Sequence, residues 1–393
     1  MKELQSNLKY KKNIVTVSVF FLIFSVFTAY SQKYEFDNQY LIKNQTNNSS
    51  TKFQNISAHD RFNTYQWRGG EKPWFEWWYY KFNIPGTDDA FCIIYGIVNP
   101  GDSTGKYPWS RAYTEVVNFR SGEIFSSVTD IKDFNASKQE TFIQIGTNTA
   151  KTDLIEGNIV NKNGDSVSWE IHIQNNWSFN AMGWGMFIPT ATNIFWYPAQ
   201  ASALFTGIIR FGGNTYNFQN CPGYQDKNWG RSFPAWWTWI VSNHFRGNPN
   251  TAIVVGGGRP KILNIRDPIE GVSIGLKHKD KIYSFRPNDA DNMNLDVRFG
   301  NWEIEAWNMK NKIRIRAWAP AEKFIDLMFT TPDGKIFHDL ETLNGELKVE
   351  LYERKWGKKK WHLVDTLYSD QAGIEYGTTN IENTHYSNEH LNR

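Results

Sequence analysis

Apolar positions along this chain recur with a period of two, in segment after segment. Val167, Trp169, Ile171 and Ile173 alternate with polar residues, and Lys312–Trp318 alternates strictly. Phe91–Val98 is a continuous apolar run, the mark of a strand covered on both faces. Asn163-Gly164 and Asp333-Gly334 fall between apolar runs, where two-residue turns close hairpins, and Glu346–Tyr352 is set against Trp361–Leu367 across a Lys-rich turn. No segment holds the helical period beyond about three turns. From Arg61 onward the pattern predicts an all-β protein of antiparallel strands with minor helical content.

The N-terminus follows a different pattern. Lys2, Lys9, Lys11 and Lys12 precede the apolar run Ile14 to Ala29, and Ala29-Tyr30-Ser31 places small residues three and one positions before Gln32. This is the grammar of a cleaved secretory signal over residues 1–31, with the mature, exported chain starting at Gln32 in a periplasmic or secreted setting. The alternative is an anchor formed by residues 14–30, which is short for a membrane span. Residues 32–60 read as a polar linker and 378–393 as a polar tail.

Pro73–Tyr80 and Pro234–Val241 place aromatic residues at equal offsets, Phe75 with Trp236 and Trp78 with Trp239. Duplication of a barrel- or sandwich-like domain accounts for the match. The division is expected near Ala203–Gly207, giving domains 61–205 and 206–377, each lined by its aromatic strand.

Composition sharpens this picture in two respects. A formal charge of +3 on 393 residues, with no basic stripe, does not imply nucleic acid. Eighteen Trp, eighteen Tyr and twenty-seven Phe point to aromatic-walled cavities or a ring-binding surface. Only Cys92 and Cys221 are present, too few for a disulfide framework; they could pair or remain buried thiols.

The candidate chemistry concentrates in Tyr224-Gln-Asp-Lys-Asn-Trp-Gly230, followed by Trp236-Trp237-Thr238-Trp239. A carboxyl held against indole rings loses solvation, so its pKa rises and it can remain a proton donor near neutral pH. Asp226, flanked by Tyr224 and Trp229, is the first candidate acid. Glu76 is the second, sharing a strand face with Trp74, Trp78 and Tyr80, where a charge needs a partner or a purpose; that partner could be Lys72, Lys81 or Lys227. Lys227 could hold a phenol oxygen or a carboxylate in place, or point to water, and Trp78, Trp229, Trp237 and Trp239 offer π faces to a cation. Asn228 braces the loop or touches substrate, and His244 is a candidate proton relay. No His/Cys/Asp cluster has metal-ligand spacing, and Gly256-Gly-Gly-Arg-Pro lacks the context of a phosphate cradle.

Lys72–Lys81, Gly183-Trp-Gly-Met-Phe-Ile-Pro189 and Tyr224–Gly230 with Phe233-Pro234 and Trp237-Thr-Trp239 together resemble the tocopherol cyclase family from about Gly69 to His244. Gly256-Gly-Gly258 and Gly373-Ile-Glu-Tyr-Gly377 are compatible with it. The resemblance implies two lipocalin-like β domains and an intramolecular lyase that closes a chromanol ring on a prenylated hydroquinone. Trp184 then joins the substrate-binding candidates. The related carotenoid hydratase-like proteins carry Tyr-x-Asp-His-x-Trp-Gly, and Lys227 stands where that His would be, which favours the cyclase branch.

Protonating an alkene needs no redox or metal partner, so no cofactor is expected. The expected partner is a hydrophobic prenylated aromatic molecule, with membrane-surface association and no nucleic acid. The competing readings are a non-catalytic lipid carrier, a hydratase-like lyase and a carbohydrate-binding protein. A sugar binder would display Trp237 and Trp239 to water. A glycosidase would need Glu76 and Asp226 across one open cleft.

Overall fold

The computed structural model describes residues 60–70, 73–188, 191–262 and 270–387. The secretory signal, the anchor alternative and nearly all of the 32–60 linker lie outside the described residues. Within them the chain forms two large antiparallel sheets, curled into a nearly closed barrel and a half-barrel, a lipocalin-like architecture. Helix is limited to short 3-10 turns among the described residues, such as Gly183–Phe187.

The first sheet has eleven strands. Its centre is Phe75–Asn83, paired on one side with Ala90–Val98 and on the other with Asn214–Gly230. Arg111–Asn118 and Glu123–Thr129 continue the first side; Ile194–Phe211, Ser166–Trp177 and four shorter strands continue the second. The second sheet, of ten strands, repeats this order. Trp236–Ser242 is central, flanked by Ala252–Gly258 and by His362–Thr378, which forms a long hairpin with Ile336–Glu353. Asn163-Gly164 and Asp333-Gly334 close hairpins as expected.

The duplication is therefore present in the topology, but two details are corrected. Ala203–Gly207 lies inside the strand Ile194–Phe211, and the chain changes sheets only between Gly230 and Trp236. The aligned offsets are also displaced by one residue. Phe75, Trp77 and Tyr79 belong to the core between the sheets, as do Trp237, Trp239 and Val241. Trp78, by contrast, points into the first barrel. The residues aligned by offset therefore take opposite faces, because a one-residue slip sends every side chain to the other face; across the seam Trp77 meets Trp237 and Tyr79 meets Trp239. Each pair is in ring contact, at 5.9 Å and 5.7 Å between centroids.

Besides a small cluster of Phe62, Phe195, Tyr197 and Trp229, three large cores result from this alternation. One fills the first barrel, with Trp78, Tyr80, Tyr95 and Trp169; one fills the second sheet, with Trp302, Ile304 and Val349; and the third is the aromatic seam between them. Cys92 faces the seam and Cys221 the first barrel, and both are free and buried. The tail is not wholly detached: Tyr386 donates to the Ala319 carbonyl and packs on Phe299.

Glycines on the second sheet make seats for the seam indoles. A Cβ at Gly373 would meet Trp239 Cζ3 at 2.3 Å, and one at Gly377 would meet Trp237 Nε1 at 2.3 Å. Overpacking of this kind costs about 1–3 kcal/mol. Gly373→Ala should therefore lower the unfolding free energy in urea by that amount, and an unchanged midpoint would show that the Trp239 seat is not tight.

Candidate active site

The seam encloses a cavity of about 310 Å³, at the lower end of the range for ligand pockets. Its first-sheet wall carries Trp77, Tyr79, Trp196, Asp226 and Asn228, and its second-sheet wall carries Trp237, Trp239, Asp339 and Glu375. Met182, Trp184, Ile188 and Ile262 line it near the surface, where Trp184 is 40 % exposed.

Asp226 reaches this space because it stands directly opposite Tyr79 across the strand pair, on the seam face. Its Oδ2 accepts from Trp196 Nε1 at 2.7 Å and from the Tyr224 hydroxyl at 2.8 Å, while Asn228 Nδ2 lies 3.4 Å from Oδ1. Trp239 Nε1 donates in turn to the Tyr224 oxygen at 3.2 Å. Burial pushes the Asp226 carboxyl up to about 7, against the opposing pull of its Trp196, Tyr224 and Trp239 donors. Of the residues singled out from sequence, Asp226, Asn228, Trp184, Trp237 and Trp239 line the cavity, and Tyr224 braces Asp226 from behind.

Glu76 and Lys227 are elsewhere. Lys227 is opposite Trp78 and Glu76 is opposite Trp229, so all four side chains take the face away from Asp226. Lys227 Nζ sits 2.7 Å from Glu76 Oε2, with both side chains fully buried. The Glu76 carboxylate also accepts the Gln66 and Trp67 backbone N–H groups and Trp74 Nε1, and Lys227 donates to the Thr64 carbonyl. The ammonium lies 4.5 Å from the Trp78 ring centroid and 5.0 Å from that of Trp229. Those two rings face a protein cation. This pair pins the Asn63–Trp67 segment to the first barrel and does not open on the cavity, which removes Glu76 as second acid, Lys227 as phenol holder and Trp78 and Trp229 as cavity rings. It also removes Glu76 and Asp226 as the carboxylate pair of a glycosidase cleft. His244 is half-exposed, 3.7 Å from Asp370, and is not a cavity residue.

Trp237 and Trp239 are 9 % and 4 % exposed, so the display of rings expected of a sugar binder is absent at these positions. Their indoles are instead cavity wall.

Sequence reasoning missed the second acidic group. Asp339, Glu341 and Glu375 place one carboxylate oxygen each within 4.8 Å of one another. Trp237 Nε1 donates to Asp339 Oδ1 at 3.0 Å, and the Tyr79 hydroxyl donates to Glu341 Oε1. Burial, reinforced by the Asp326 charge, lifts Asp339 to about 8; burial and mutual repulsion hold Glu341 and Glu375 well above the ordinary carboxylate range. The available signal was the alternation Phe337, Asp339, Glu341, Leu343, which puts two acids on an apolar strand face.

Comparison with known proteins places this geometry in context. A family model described as tocopherol cyclase-like matches residues 141–378, well past the His244 limit of the motif resemblance. The matched span includes Asp226, Asp339 and Glu375 but not Glu76. The chloroplastic tocopherol cyclase of Zea mays is 25 % identical over 365 residues, covering 80 % of this chain and 76 % of the maize protein. An uncharacterized Mycobacterium tuberculosis protein is 23 % identical over 195 residues, covering 49 % of this chain and 57 % of its own. Among solved structures, kievitone hydratase from Nectria haematococca aligns with a TM-score of 0.46 at 11 % identity, covering 84 % of this chain and 96 % of that one.

Removing one partner of a buried ion pair strands the other charge, at a cost of about 3–5 kcal/mol. Glu76→Gln should lose that much stability in urea unfolding, and adding Lys227→Met should restore part of it. Full stability of Glu76→Gln would show that the pair does not anchor the barrel.

Proposed function

This chain belongs to the tocopherol cyclase-like family, and we propose that it closes a chromanol-type ring on a prenylated hydroquinone by protonating the prenyl alkene inside the seam cavity. The observation that carries this reading is Asp226: a carboxyl poised near 7, held by indole and phenol donors, in a pocket walled by aromatic rings and faced by Asp339 and Glu375.

The reaction needs three things. A carboxyl must hold a proton at neutral pH, so that it can attack a weakly basic double bond. The tertiary cation that forms must find electron-rich faces and no competing water. Finally, the phenol must be held so that its oxygen meets the cation from one side. Trp77, Trp196, Trp237 and Trp239 supply the π faces, each capable of attracting a cation within about 6 Å. Their bulk also excludes water, which would otherwise trap the cation as an alcohol. The cavity volume suits the aromatic head and the first prenyl unit, with the tail leaving past Met182, Trp184 and Ile188. On this reading the substrate is a hydrophobic molecule drawn from a membrane surface by an exported protein, and the chemistry is that of an intramolecular lyase.

Asp226 exchanges a proton with the substrate in this scheme. Purified protein incubated with a panel of prenylated hydroquinones should give a product of equal mass and shifted retention. Asp226→Asn preserves shape and removes the titrating group, so turnover should fall at least about a hundredfold while binding survives. A variant that turns over like the wild type would leave ring closure without its central residue; binding without turnover in the wild type would make the protein a carrier.

A further inference from the structure

The cavity holds two acidic groups on opposite walls, and their surroundings differ in kind. Every contact made by Asp226 is with a donor: Trp196 Nε1, the Tyr224 hydroxyl and Asn228 Nδ2. Donors stabilise the ionised form of a carboxyl. The second-sheet group is poorer in donors: its three carboxyls share the Trp237 indole and the Tyr79 hydroxyl. Glu341 and Glu375 are direct cross-strand partners, and Asp339 lies two residues before Glu341 on the same face. Glu341 Oε2 is fully buried with no hydrogen-bond partner. Three carboxylates this close cannot all ionise, and those with fewest donors retain their protons.

Resting on the ring-closure reading above, we infer that the proton donor is the Asp339–Glu375 pair of the second sheet, with Glu341 buried behind it as a positioning residue, and that Asp226 accepts the phenolic proton. The donor O–H breaks and a C–H bond forms at the less substituted alkene carbon. The π electrons leave a tertiary cation between the indoles. A phenol lone pair then forms the C–O bond, and the phenolic proton passes to the Asp226 carboxylate. No net proton is gained or lost. The cycle closes when the proton on Asp226 returns to the ionised pair through water that enters as product leaves.

The groups facing the second-sheet trio support this order. Asp326 adds negative charge from the neighbouring strand, Tyr79 is a neutral phenol, and the Cys92 thiol is held protonated by burial. Asp226 and Tyr224 face it across the seam. Lys81 is the cation acting on Glu341, but its Nζ is turned to Asn83 Oδ1 at 3.2 Å and burial lowers it to about 8. Burial raises all of these carboxyls; the three donors on Asp226 favour its ionised form, and mutual repulsion within the trio favours retained protons there.

The test separates donor from acceptor. Wild-type turnover should rise with pH as Asp226 ionises near 7 and fall as the pair ionises above about 8; a profile that only falls as pH rises through 7 would overturn the assignment. A prenylated hydroquinone methyl ether cannot close the ring, yet its alkene can still be protonated and deprotonated by the donor alone. In heavy water, deuterium should enter its prenyl methyl groups at least about thirtyfold faster with Asp226→Asn than with Asp339→Asn or Glu375→Gln. The opposite pattern would make Asp226 the donor. Activity lost on chelation and restored by magnesium would assign the trio to a cation and also overturn the inference. The infrared band of protonated carboxyls at pH 7.5 needs no substrate: it should shrink with Asp339→Asn or Glu375→Gln and persist with Asp226→Asn, and persistence in all three would overturn the assignment. A wild type that forms no chromanol but shows this infrared pattern would sink only the ring-closure reading.

Discussion

A carboxylate taken out of water must be neutralised where it stands, and this molecule does so in two incompatible ways on the two faces of one strand pair. On the barrel face, Glu76 is compensated by an ammonium at 2.7 Å and by backbone and indole N–H groups, an arrangement that fixes both charges permanently. On the seam face no cation lies against Asp226; neutral donors hold it, and the acids opposite are left to keep their protons. The first solution anchors a chain segment. The second favours the protonated form beside the cavity, the condition under which a carboxyl still has a proton to donate near neutral pH.

Strand alternation is what keeps the two apart. Asp226 and Lys227 are adjacent in sequence, yet a pleated strand sends them to opposite sides of the sheet. Had both faced the seam, the ammonium would have quenched the acid by forming the ion pair that Glu76 now satisfies. The same alternation divides the aromatic residues of Phe75–Asn83 between barrel and seam, so that a single strand contributes to two cores.

Much of this was legible in the chain. The period of two, the Asn-Gly and Asp-Gly turns and the paired aromatic strands gave the class and the duplicated topology, and desolvation by indoles pointed to Asp226. What failed was register. Aligning Phe75 with Trp236 is the natural reading of two Trp-rich octets, but it differs by one residue from the spatial match, and one residue is enough to move Glu76 from the barrel to the cavity. The second acidic group was illegible for a different reason. Asp339 and Glu375 lie 36 positions apart and meet only because the long strands Ile336–Glu353 and His362–Thr378 pair back on one another. The Gly373–Gly377 stretch carried part of the signal, since its two glycines flank Glu375 and exist to let Trp239 and Trp237 lie flat against the strand.

Why the cavity sits at the seam follows from what fills the barrels. In the first, Trp78, Tyr80, Tyr95 and Trp169 occupy the interior that a ligand-carrying barrel would leave open, and Tyr95 is tied there by the Trp169 indole at 3.0 Å. In the second, Trp302 plays the same part, donating to Thr238 at 2.9 Å. With both interiors packed, this cavity opens where the two sheets meet, and there each wall comes from a different half of the chain. A duplicated protein can thus set unlike chemistry on facing walls: donors around a single acid on one side, crowded acids on the other. On the ring-closure reading a proton would pass across the gap between the halves, which a single barrel lined by one continuous sheet is less suited to arrange.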